Sequence, residues 1–131
     1  MVIKVTKSLT FIPEFNGNKE AAPSEQIVVH FKNPTYNLKE KIKGRPETKA
    51  RADINGNIEG MDIVLKTNDV ALVRGMLERI DNCQYEDDRG TVNTISNASE
   101  LFDAPVEFSP LIDEIVAEFN RVMNKTVPEK N

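Results

Sequence analysis

The sequence has little with which to build a reactive site. Its 131 residues include no tryptophan, one histidine and one cysteine. A lone cysteine, Cys83, excludes an internal disulfide framework. With His30 as the single imidazole, one chain cannot supply the four N/S ligands of an ordinary zinc centre. A Ser-His-Asp triad would have to use His30. No G-x-S-x-G, Walker loop, G-x-G-x-x-G or H-E-x-x-H occurs, and the calcium-loop spacing D-x-[DN]-x-[DN]-G is missing as well. No apolar run approaches the ~18 residues of a membrane span. The N-terminus lacks the charged-then-apolar order of a secretory leader, so a cytoplasmic protein is expected. Aromatic residues are scarce, with six Phe and two Tyr. These absences predict no catalytic residues, no metal and no cofactor.

What is present suffices for one domain with a real core, since a chain of this length buries roughly two-thirds of its unfolded surface. Lys and Arg number 17 against 21 Asp and Glu, for a net charge of -4, which excludes a globally basic nucleic-acid binder. The charge is unevenly spread. The window 32–51 holds seven basic and two acidic residues, or +5, and leaves the remainder at -9.

Residues 1–12 alternate, with Ile3, Val5, Leu9 and Phe11 on one parity and Lys7 as a flaw, and predict a half-buried strand. Ile27 to Lys32 predicts a second, with Ile27, Val29 and Phe31 on one face and His30 on the other. Antiparallel pairing of the two is expected. Residues 33–60 hold prolines, glycines and few large apolar residues. They read as a basic, loop-rich insertion, either a mobile loop or a short helix flanked by turns. Met61 to Lys66 predicts a third strand. A helix over about 70–81 follows, capped by Asn68 or Asp69, with Val70, Val73, Met76, Leu77 and Ile80 as its stripe. Residues 83–98 predict a short hairpin or extended loop turning at Asp88-Arg89-Gly90. Ser99 is placed to cap a single turn stopped by Pro105. Ser109 is placed to cap a last helix with Pro110 in its first position. Residues 125–131 form a tail expected to fray. Strands first and helices after is the α+β order: a small antiparallel sheet from the N-terminal half, packed against two main C-terminal helices.

Each chemically suggestive residue has a plain reading beside it. His30 in a strand reads as a surface or half-buried structural histidine. Glu86, Asp87 and Asp88 read as a solvated turn. Cys83 lies after a helix among acidic neighbours and reads as a small residue in a buried junction. The basic positions Lys39, Lys41, Lys43 and Arg45 could meet phosphates, an acidic protein surface or the chain's own acidic body. With Tyr36 as the lone aromatic there, a base-stacking platform is not expected, and nucleic acid is a weak prospect. The last helix is apolar over a broad arc. Core packing is its default reading, and a partly exposed stripe that holds a partner helix is the alternative.

Two runs resemble a known family. Leu9-Thr-Phe-Ile-Pro-Glu-Phe-Asn-Gly-Asn-Lys-Glu20, with Pro23-Ser-Glu-Gln-Ile-Val-Val-His30, looks like the N-terminal stretch of small siphophage and prophage tail-assembly proteins. Asp69-Val-Ala-Leu-Val-Arg-Gly-Met-Leu-Glu-Arg-Ile80, Ser99-Glu-Leu-Phe-Asp-Ala-Pro105 and Leu111-Ile-Asp-Glu-Ile115 look like the helical part of tail assembly chaperones. The resemblance implies a non-enzymatic role in the host cell cytoplasm. Its partners would be the tape measure protein and the tail-tube protein, with self-association and no membrane. The implied partner surface is apolar and helical, at Leu111, Ile115, Phe119 and Val122. A structural virion protein, such as a tail-tube, tail-completion or connector subunit, is the alternative, in which an arm at 33–60 orders against a neighbour.

Overall fold

In the computed structural model, the described residues are 1–5, 8–43, 45–66 and 68–124, with 45–51 and 59–66 described by backbone alone. The expected tail 125–131 and the strand flaw at Lys7 lie outside them. The fold is α+β. A three-stranded antiparallel sheet runs in the order β1 (Leu9–Phe11), β2 (Val28–Phe31), β5 (Leu77–Asp81). The expected pairing of the first two strands holds, with Leu9 opposite Phe31 and Phe11 opposite Val29, but the first strand is shorter than the expected 1–12: residues 1–5 are not in a strand, and Ile3 and Val5 are exposed.

The connection between them is clipped rather than loose. A 3₁₀ segment at Phe15–Glu20 is kinked by left-handed backbone at Asn16 and Gly17, a shape that Asn and Gly tolerate best. It delivers Asn18 to a buried position. The Asn18 side-chain amide donates to the Pro13 and Ile27 carbonyls at 2.9 and 3.0 Å, and its oxygen accepts the Ile27 N–H at 2.6 Å.

The segment read as a loop-rich insertion is largely regular. Helix α1 (Tyr36–Lys41) is capped by Thr35, whose hydroxyl accepts the Leu38 N–H. A long hairpin follows, β3 (Arg45–Ala52) and β4 (Ile58–Lys66), which forms a sheet of its own. The third strand therefore begins three residues before the expected Met61. Local signals missed β3 because its sequence, Arg-Pro-Glu-Thr-Lys-Ala-Arg-Ala, has weak strand propensity; its ladder with β4 supplies the order.

Helix α2 (Asp69–Met76) starts as expected, with the Asn68 side chain accepting the Ala71 N–H. It stops five residues early. Leu77 enters β5 without an intervening loop, and Leu77 and Ile80 are buried from a strand rather than a helix. Gly75 weakens the last turn by about 1 kcal/mol relative to alanine, and the open edge of β2 offers a ladder: Leu77 pairs with Phe31 and Ile80 with Val29, across a bulge. Gly75 has a second use. A Cβ there would run into Leu38 of α1, so its absence lets the two helices approach.

The small hairpin β6 (Gln84–Glu86) and β7 (Val92–Thr94) agrees with expectation, with Gly90 left-handed at the turn. Helix α3 (Ala98–Phe102) is capped by Asn97 rather than Ser99: the Asn97 side chain accepts the Glu100 N–H, and Glu100 accepts the Ser96 N–H and hydroxyl. A 3₁₀ turn, Val106–Phe108, leads into α4 (Ser109–Met123), where Ser109 is the first helical residue and not the cap.

The core lies between α2, α4 and the three-stranded sheet. Leu72, Val73 and Met76 meet Leu111, Ile115, Phe119 and Met123, over Val29 and Phe31. The Phe31 and Phe119 rings lie 4.8 Å apart at 42°.

A candidate partner-binding cleft

Helix α4 does not present its stripe outward. Leu111, Ile115 and Phe119 are each 0% exposed, which corrects the expectation that they form a partner surface. They recur on the face that closes over α2 and the sheet, and a single amphipathic helix cannot serve both a core and a partner with the same side chains. Val122, on the same stripe but in the last turn of the helix, is half-buried and lines a cleft.

That cleft, of about 550 Å³, opens where β1, the link from β2 into α1, and the C-terminal turn of α4 converge. Pro34 lies in the link after β2, and the Thr35 cap then sets Tyr36 at the head of α1 with its side chain exposed. Its apolar lining is Val5, Leu9, Phe31, Pro34, Tyr36, Val122 and Met123. Its charged lining is Lys4, Lys39 and Arg121 against Glu118. Arg121 and Glu118 are spent on each other through two hydrogen bonds, and Glu118 holds the guanidinium charge more firmly still. Among the described residues, Lys4 and Lys39 make no ion pair. Thr10, Asn33 and Thr35 add uncharged polar groups, so the cleft is mixed in character, with two ammonium groups in its lining.

The structure brings Val122 and Lys39 together here, one from each of the two groups singled out in the sequence. It places the other basic residues elsewhere. Lys41 joins Lys39 in the last turn of α1, where cations complement the helix dipole. Lys43 stands 4.0 Å from Glu40, and Arg45 opens β3 opposite Lys66 in the ladder. Sequence reasoning missed Val5, Leu9 and Tyr36 as cleft residues. Val5 and Leu9 shared a strand parity, and that parity was the available signal.

The titratable groups elsewhere form structural pairs. His30 is half-buried on the sheet face away from Phe31, and its Nε2 lies 2.7 Å from Asp81 Oδ2. Arg79 Nε donates to the other Asp81 oxygen at 3.2 Å. The hydrogen bond from His30, helped by Arg79, holds the Asp81 carboxyl below its ordinary range. No serine, threonine or cysteine hydroxyl or thiol joins this cluster among its described bonds. Cys83 is wholly buried, and burial pushes its thiol up to about 11, far from a thiolate at neutral pH. Among the described residues, no group of three or more His, Cys, Asp or Glu side chains is placed to hold a metal ion, and no helix is long and apolar enough to cross a membrane. A scan against protein-family models gives no match for the chain, and neither curated proteins nor solved structures give one.

Proposed function

We propose that the chain is a non-enzymatic phage tail-assembly chaperone that holds a segment of the tape measure protein for the tail-tube protein to assemble around. One observation carries the reading beyond the resemblance: the open cleft beside Val122, where the apolar side chains of Leu9 and Phe31 share a lining with the cations Lys4 and Lys39. Such a cleft suits an amphipathic segment that carries carboxylates beside aliphatic residues. It needs no cofactor. The chaperone would act in the host cell cytoplasm and leave before the virion is complete.

Co-expression with the tape measure protein, followed by solubility and pull-down assays, tests the proposal. The wild-type chain is expected to keep the tape measure protein soluble and to co-purify with it. Val122→Asp together with Tyr36→Ala should abolish both effects while the fold persists. No effect of the wild-type chain on either measurement would sink the idea.

The β3–β4 hairpin favours a second reading, that of a tail-tube, tail-completion or connector subunit, because a projecting arm is a device for engaging neighbours. Mass spectrometry of purified virions separates the two. A chaperone is missing from the particle, and a structural subunit is present in stoichiometric amount.

A further inference from the structure

We propose that the hollow lined by Phe15, Tyr85 and Phe108 binds the guanidinium group of an arginine carried by a partner polypeptide. The hollow lies at the N-terminal end of α4 and the cleft at its C-terminal end, roughly 20 Å away along the helix. An arginine bound here therefore owes nothing to the chaperone reading.

Three elements deliver the three rings. The 3₁₀ segment Phe15–Glu20 opens with Phe15, and β6 carries Tyr85. The turn Val106–Phe108 ends on Phe108, whose N–H donates to the Pro105 carbonyl at 2.9 Å. Phe108 is buried. Phe15 and Tyr85 are half-buried against it, each with its ring centroid 5.6 Å from that of Phe108. The hollow measures about 520 Å³, within the about 300–1,000 Å³ usual for small-ligand sites.

Its polar lining leans to acceptors. The charged side chains are Glu25 and Glu107, and neither makes an ion pair among the described residues. No lysine or arginine lines the hollow among those residues. Asn18 has committed both its amide N–H groups, to the Pro13 and Ile27 carbonyls, and its oxygen to the Ile27 N–H. The Asn82 amide donates to the Ser24 and Gln26 carbonyls at 3.2 and 2.9 Å, so what it has left to offer is its oxygen. Asn16, Gln84 and the Tyr85 hydroxyl can turn either way.

Two carboxylates and an amide oxygen beside aromatic rings call for a cation that donates hydrogen bonds. A quaternary ammonium has no N–H to give. A lysine ammonium is a compact, strongly hydrated point charge. The guanidinium group is planar, stacks on rings, presents a fork of N–H donors and is more weakly hydrated. Its source is an arginine within a chain, because the α-carboxylate of the free amino acid would meet the same two acids.

Nuclear magnetic resonance titration of the isotope-labelled full chain with N-acetyl-arginine methylamide, a blocked arginine, tests this with no tail protein present. Saturable shifts are expected at the amides of Phe15, Tyr85 and Phe108 and not at Lys39 or Val122 in the cleft. Binding should weaken as salt is raised. Blocked citrulline keeps the shape and loses the charge. It should bind at least about threefold more weakly, as should blocked lysine, tetramethylammonium and free arginine. Glu25→Gln with Glu107→Gln should weaken blocked arginine by at least about threefold, and so should Tyr85→Leu. Both acids are exposed, so the double variant should melt with wild type and keeps the test decisive should Tyr85→Leu misfold. The absence of saturable shifts at the three rings would overturn the proposal. So would citrulline, lysine, tetramethylammonium or free arginine binding as well as the blocked arginine, or a double glutamine variant that binds it like wild type.

Discussion

Replacing Phe119 by alanine asks directly whether α4 belongs to the core. The ring is fully buried and stacked on Phe31 at 4.8 Å. Truncating a buried phenylalanine costs about 3–5 kcal/mol in lost transfer energy and cavity. Of that, roughly 0.5–1.5 kcal/mol belongs to the aromatic pair. A domain of this size is stable by on the order of 7–20 kcal/mol, so the variant should fold, but with a much reduced margin. With a urea slope of about 2 kcal/mol per M, the unfolding midpoint should fall by about 2 M with the slope unchanged. Val122→Ala is the control. Its side chain is half-buried at the cleft, and its loss should cost about 1 kcal/mol or less. A Phe31→Ala, Phe119→Ala double-mutant cycle should return the pair energy as coupling. If Phe119→Ala stays within about 1 kcal/mol of wild type while Val122→Ala costs as much, α4 faces outward and the placement of the core is wrong.

Two further outcomes follow from side chains that clip loops. Asn18→Ala removes three hydrogen bonds and leaves the Ile27 N–H and two carbonyls without that partner; it should cost about 2–4 kcal/mol, and an unchanged melting temperature would refute the clip. The Asp87 carboxylate accepts the N–H groups of Thr91 and Arg89 and the Asn93 amide, and the Thr91 bond does most to hold its pKa below the usual 3.8. A depressed folded-state pKa adds stability that is present above the unfolded value and lost as pH falls through the folded one. Asp87→Asn should therefore be destabilised at neutral pH, with the gap from wild type closing in acid. Denaturation curves at several pH values measure that gap, and one that stays constant with pH would contradict the assignment.

Helix α4 was legible because its apolar residues recur at helical spacing behind Pro110, and β2 because Val29 and Phe31 alternate around His30. The turn at Gly90 announced itself by composition. The α2–β5 junction did not. Leu77 and Ile80 satisfy a helical stripe and a bulged strand equally well, and the choice is made by β2, almost fifty residues away in sequence. The β3–β4 arm was hidden for the same reason, since its order resides in cross-strand pairing rather than in β3 itself. The candidate site was half legible. Periodicity marked α4 as apolar but could not say that Leu111, Ile115 and Phe119 turn inward while Val122 borders the cleft. Lys39 was singled out for its charge, and only the close approach of α1 to α2, permitted at Gly75, sets it beside Val122.

The strands β2 and β5 lie side by side, while the chain between them leaves to form α1 and the long hairpin and then returns. To the folding body this excursion is one closed loop, whose entropy cost rises by only about 0.6 kcal/mol for each doubling of its length. Two-residue steps added to or removed from the arm preserve its register and barely touch the body. Reach and stability are thus separately heritable, so a lineage could lengthen or shorten the arm to follow a changing neighbour without re-solving how the domain folds.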